Sequence, residues 1–115
     1  MKEVESIRRD FLREASDDYV GLWSLIRRIK FDLGYNDPAT VRAVTLSILK
    51  ELLAQGLIRA GIPHTTGDFE EWNLSPVKTL QRLEHEWDGL GREPNIGDIV
   101  WFTSTEKGEK HIRAS

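Results

Sequence analysis

Between Asp37 and Ile58 the chain carries start and stop signals for one long helix. Asp37 is a good N-cap, and Pro38 stands at the first helical position, where a missing N–H costs nothing and φ is already set. Gly56 supplies a left-handed stop, with Leu57 placed for the hydrophobic contact of a Schellman cap. Within those limits Val41, Val44, Ile48 and Leu52 line one side and Leu46, Leu49, Leu53 and Leu57 another. A helix apolar over about half its circumference must be covered on two flanks, so it is predicted to be the central element.

The rest of the sequence supplies that cover. Val4, Ile7, Phe11 and Ala15 recur at helical spacing, widened by Leu12, and predict a first helix over 3–15. A second is predicted over 18–33, capped by Asp17 or Asp18, with Tyr19, Leu22, Trp23, Ile26, Ile29 and Leu33 on its stripe and Gly34 as its stop. After the central helix, 57–62 reads as a short strand broken by Pro63, and 64–73 as a polar loop. Ser75-Pro76 opens a fourth helix with a narrow stripe of Val77, Leu80, Leu83, Trp87 and Leu90, stopped by Gly89 and Gly91. Residues 94–98 form a turn cluster, 99–103 the best strand, and Thr105–Gly108 begins a last short helical segment. Trp23 and Trp101 fall on apolar stripes and are expected in the core, with Phe69 and Trp72 pinning the loop and Trp87 seating the fourth helix.

A chain of 115 residues with this balance is expected to form one domain over 1–115. The absence of cysteine excludes a disulfide framework, a zinc finger and a thiol nucleophile together. No apolar run is long enough to span a bilayer, and the start MKEVESIRRD lacks a secretory apolar segment, so no membrane partner and a cytoplasmic location are expected. Net charge is −3, and residues 63–98 hold eight acids against three bases. That block exceeds the whole negative charge of the chain and favours a positive or neutral partner.

Two strings resemble a known family. Thr45–Ile58, reading TLSILKELLAQGLI, is similar to the end of the recognition helix in MarR-like and PadR-like bacterial regulators, and Trp101–Glu109, reading WFTSTEKGE, to the segment that leaves their wing. The resemblance implies an α+β, mostly α, winged helix-turn-helix with a short antiparallel β-ribbon and an extra helix inserted between its strands at 63–98. It implies transcription regulation by binding duplex DNA, with Thr40, Arg42, Ala43, Ser47 and Lys50 on the reading face and Arg59, Lys107 and Lys110 as wing contacts. Arg27, Arg28 and Lys30 would be a second backbone contact, and the first helix either a homodimer contact or, equally, a cover for the chain's own core in a monomer.

The acidic insert supports an alternative, a protein-interaction module on the same scaffold. Phe69, Glu70, Glu71 and Trp72 would bind a basic protein, as a small acidic immunity or antitoxin protein masks its partner. An enzyme is not expected, and neither a cofactor nor a metal. His85-Glu86 lacks the second histidine of a zinc-protease helix, and His64, His85 and His111 are irregularly spaced. Gly89-Leu90-Gly91 lacks the third glycine of a dinucleotide loop.

Overall fold

The computed structural model describes residues 3–114. It is an α+β fold, mostly helical: α1 (Val4–Asp17), β1 (Val20–Gly21), α2 (Leu22–Asp32), α3 (Pro38–Ala54), β2 (Ile58–Pro63), β3 (Phe69–Glu71), α4 (Pro76–Leu90), β4 (Trp101–Ser104) and α5 (Glu106–Ala114). The strands form one antiparallel sheet in the order β1-β4-β2-β3. The two strands predicted on either side of the insert do pair, with Arg59 opposite Thr103 and Ala60 opposite Phe102.

The start and stop signals around α3 work as the sequence implies. Asp37 Oδ2 accepts from the Thr40 N–H at 3.0 Å. At the other end the Leu57 N–H donates to the Leu52 carbonyl and the Gly56 N–H to the Leu53 carbonyl, both at 3.0 Å, with Gly56 at φ 71°. Val41, Ile48, Leu49 and Leu52 are fully buried against Ile7 and Phe11 of α1 and Leu25, Ile26 and Ile29 of α2. The buried Thr45 hydroxyl donates to the Val41 carbonyl at 2.7 Å. Ser75 caps α4 by accepting from the Lys78 N–H, and Gly91 ends it at φ 67°. Leu83 and Trp87 then seat α4 on the core beside α3.

The two resemblance strings meet. Thr105 follows β4 directly, its N–H donating to the Leu57 carbonyl at 3.0 Å and its hydroxyl to the Gly56 carbonyl at 2.6 Å. The same hydroxyl accepts from the Gly108 N–H at 3.0 Å and so caps α5. A Cβ at Gly108 would collide with the Leu57 carbonyl oxygen, so the first turn of α5 can rest on that backbone only with glycine there.

Several expectations are corrected. The second helix does not start at 18: Val20 and Gly21 pair with Phe102 and Trp101, because β4 leaves an edge that only an extended segment can satisfy. Asp18 Oδ1 therefore accepts from the Tyr19 N–H, and α2 begins after Gly21 without a side-chain cap. The predicted loop 64–73 contains β3, turned back onto β2 through Gly67 at φ 94°. Pro63 ends β2 harmlessly, since the ladder bonds run through His64 to Asp68 and Trp72 to Ala60, and the Pro63–Phe69 pair needs no N–H. The last strand begins at Trp101, after a tight turn in which the Val100 N–H reaches the Asp98 carbonyl at 2.9 Å and Ile99 takes φ 68°. Val4 and Val77 leave their stripes for solvent, and Trp23 and Trp101 are half-buried rather than in the core. Both sheet edges are short, two residues in β1 and three in β3.

Candidate protein-binding surface

The residues proposed to read DNA do not form one open face. Thr40 is taken up in the α3 cap, its hydroxyl donating to Asp37 at 2.9 Å. Arg42 is covered by α4: its guanidinium pairs with Asp88 at 2.6 Å and lies 5.3 Å from the centre of the Trp87 ring. Ala43, Ser47 and Lys50 remain exposed on α3. Arg59 pairs with Glu71 at 3.2 Å. Lys107 and Lys110 lie on α5 rather than in the ribbon, and Lys110 pairs with Glu106 of the same helix at 3.4 Å. The basic run of α2 is engaged as well. Arg28 meets Asp10, Glu14 and Asp32, Lys30 pairs with Glu93 at 3.0 Å, and Arg27 packs over Trp23 and Phe31.

Strand alternation divides the four residues proposed for protein binding. Phe69 and Glu71 project to the side of the sheet facing away from the helices. Glu70 projects to the other side, 3.4 Å from His64. Trp72 turns in against the core beneath Arg82, which lies 4.0 Å from its ring centre. The Trp72 indole N–H is buried without a protein partner.

The same alternation assembles a surface that periodicity alone does not show. Val20, Ala60 and Phe102 point into the core, so the row Gly21–Trp101–Gly61–Glu71, read across β1, β4, β2 and β3, points out. Trp101 thus has a glycine on each neighbouring strand. At Gly61 the glycine is obligatory, because a Cβ would strike the Glu70 carbonyl oxygen and the Phe69 ring. Phe69 stacks on Tyr19 with ring centres 5.0 Å apart and planes 7° from parallel, and the Arg59 guanidinium lies 5.5 Å from the Phe69 centre. Beside Trp101 the surface dips into a cavity of 240 Å³ lined among others by Tyr19, Trp23, Trp101 and Ile96, with Glu14 and Ser24. Ile96 is 69% exposed on the 94–98 turn.

Asp98 holds that turn. Its carboxylate accepts from Arg92 at 2.8 Å and from the Asn95 N–H at 2.7 Å, and these two donors lower its pKa below the ordinary aspartate value. No group of three or more His, Asp or Glu side chains among the described residues is arranged to hold a metal ion. No helix among them is long and apolar enough to cross a membrane.

Tyr19, Trp23, Ile96 and Trp101 are the site residues that sequence reasoning missed. The available signal was Gly21 and Gly61, two glycines in strand-forming stretches that leave the tryptophan between them uncovered. Comparison with protein-family models, with curated proteins and with solved structures finds no match to this chain.

Proposed function

We propose that this chain is a winged-helix-type domain that binds a basic protein through the outer face of its sheet and does not read DNA. The order β1-β4-β2, with the short strand that follows α1 flanking the last strand, is the one expected of a winged-helix domain and supports the scaffold. The insert then comprises β3 and α4. One observation carries the rejection of DNA: α4 lies on the N-terminal half of α3, and Asp88 and Trp87 hold the guanidinium that would meet a base edge. A recognition helix enters the major groove with its base-reading side chains uncovered, and here Arg42 is turned to α4.

The outer sheet face has the composition of an interaction hot spot. Trp, Tyr and Arg are the residues that dominate binding energy in protein interfaces, and here they adjoin Phe69 and an exposed isoleucine. The net charge of −3 and the acidic insert favour a basic partner.

The test has two arms. Immobilised full chain is challenged with duplex DNA at ~50 mM salt, where a phosphate-binding domain is retained, and with lysate of the source organism. The expected result is no DNA retention, and capture of a basic protein that is lost in Trp101→Ala and weakened in Glu71→Lys. Salt-sensitive DNA retention abolished by Lys50→Ala would overturn the reading, as would capture indifferent to Trp101.

A further inference from the structure

We infer that the cavity between Trp23 and Trp101 takes an arginine side chain of the bound protein. This rests on the protein-binding reading above and names the chemistry of its central contact. The walls come first. Two indoles and the Tyr19 phenol line a space of 240 Å³, and aromatic rings attract a cation to their faces. Guanidinium is planar and weakly hydrated, so it stacks on indole at less desolvation cost than ammonium. The molecule already uses this contact beside the cavity: Arg27, which is not one of its walls, lies 5.3 Å from the Trp23 ring centre.

Charge then decides between possible occupants. Glu14, which lines the cavity, accepts from the Ser24 hydroxyl at 3.4 Å and meets Arg28. Arg28 also meets Asp10 and Asp32, and among the described residues Glu14 is the one ionisable carboxylate that lines the cavity, with no cation beside it in the lining. Asp17 and Asp18, exposed at the end of α1 just before Tyr19, add two more carboxylates that enter no ion pair among the described residues. Aromatic walls alone would also suit a nucleic-acid base, but this rim repels the phosphates that accompany it. An apolar side chain would fill the walls and leave the excess of negative charge unanswered. Arginine satisfies both, its methylenes along Ile96 and its guanidinium toward Glu14.

The chain carries its own reporters. Of its four tryptophans, Trp23 and Trp101 line the cavity, whereas Trp72 and Trp87 pack against the core elsewhere. The full-length protein, labelled with 15N, is titrated with the capped pentapeptide Gly-Gly-Arg-Gly-Gly and with versions carrying norleucine or glutamate in place of arginine. The expected result is saturable movement of the Trp23 and Trp101 indole N–H signals, with Kd on the order of 1 mM for one stacked, charge-assisted contact. Trp72 and Trp87 stay still. Norleucine binds about fivefold more weakly and glutamate not at all. The surface variant Asp17→Asn, which keeps every aromatic wall and the Asp18–Tyr19 hydrogen bond, weakens the arginine peptide about twofold and leaves the Trp72 and Trp87 signals in place.

Norleucine binding as well as arginine, or stationary Trp23 and Trp101 signals at ten times that concentration, overturns the inference. Either result leaves the protein-binding reading standing if capture still depends on Trp101. If the arginine peptide binds but no protein is captured, the assignment of the cavity holds and the broader reading falls.

Discussion

The two ends of α3 are secured in different ways. At the C-terminal end backbone meets backbone: Thr105 bonds the Gly56 and Leu57 carbonyls, and Gly108 rests directly on Leu57. At the N-terminal end side chains meet side chains, with Arg42 between Asp88 and Trp87 above a core seat of Leu83. A backbone junction accepts almost no substitution at its contact points, whereas a side-chain clasp can be rewritten residue by residue. The two strings singled out in the sequence, Thr45–Ile58 and Trp101–Glu109, are the two halves of the backbone junction, and such a joint speaks for architecture more than for what the architecture binds.

Four measurements test this contrast. Leu83→Ala removes the fully buried anchor of α4 and should lower unfolding free energy by about 3 kcal/mol in a denaturant titration. A loss below about 1 kcal/mol would mean that α4 is not seated on the core at all. Gly108→Ala forces a Cβ against the Leu57 carbonyl and should cost about 2 kcal/mol. An unchanged midpoint would remove the backbone junction from the comparison.

Arg42→Ala should cost no more than about 1 kcal/mol, since its ion pair with Asp88 is largely solvated and the rest is one contact over Trp87. A cost as large as that of Leu83→Ala would show the clasp to be structural rather than adjustable. The smallest effect belongs to pH. Because the folded state lowers the Asp98 pKa, its contribution to the 94–98 turn is complete above the ordinary aspartate range and is lost as pH falls below it. The Asn95 amide signal should therefore be steady through neutral pH and move only in acid, and Asp98→Asn should abolish that movement.

The helices were legible where their signals are local. Asp37 with Thr40, Ser75 with Lys78, and Gly56 with Leu57 each act within one turn, and the sequence displays them directly. Val20–Gly21 and Phe69–Glu71 were not legible, because strands of two and three residues have no periodicity and exist only by pairing with distant partners. The candidate site was hidden for the same reason. Which way Trp101 faces depends on register against Gly21 and Gly61, eighty and forty positions away, and whether Arg42 is free depends on where α4 docks. The charge of the insert was readable; its folding back onto α3 was not.

The stubby margins of the sheet have a consequence for life in a crowded solution. Neither β1 nor β3 offers a run of unpaired amides long enough to template an incoming chain, and the Asn73 side chain already reaches the Glu71 carbonyl at 3.4 Å. A molecule so finished at its borders can turn half-buried aromatic rings to the outer side of its sheet without inviting its own copies to line up into fibres.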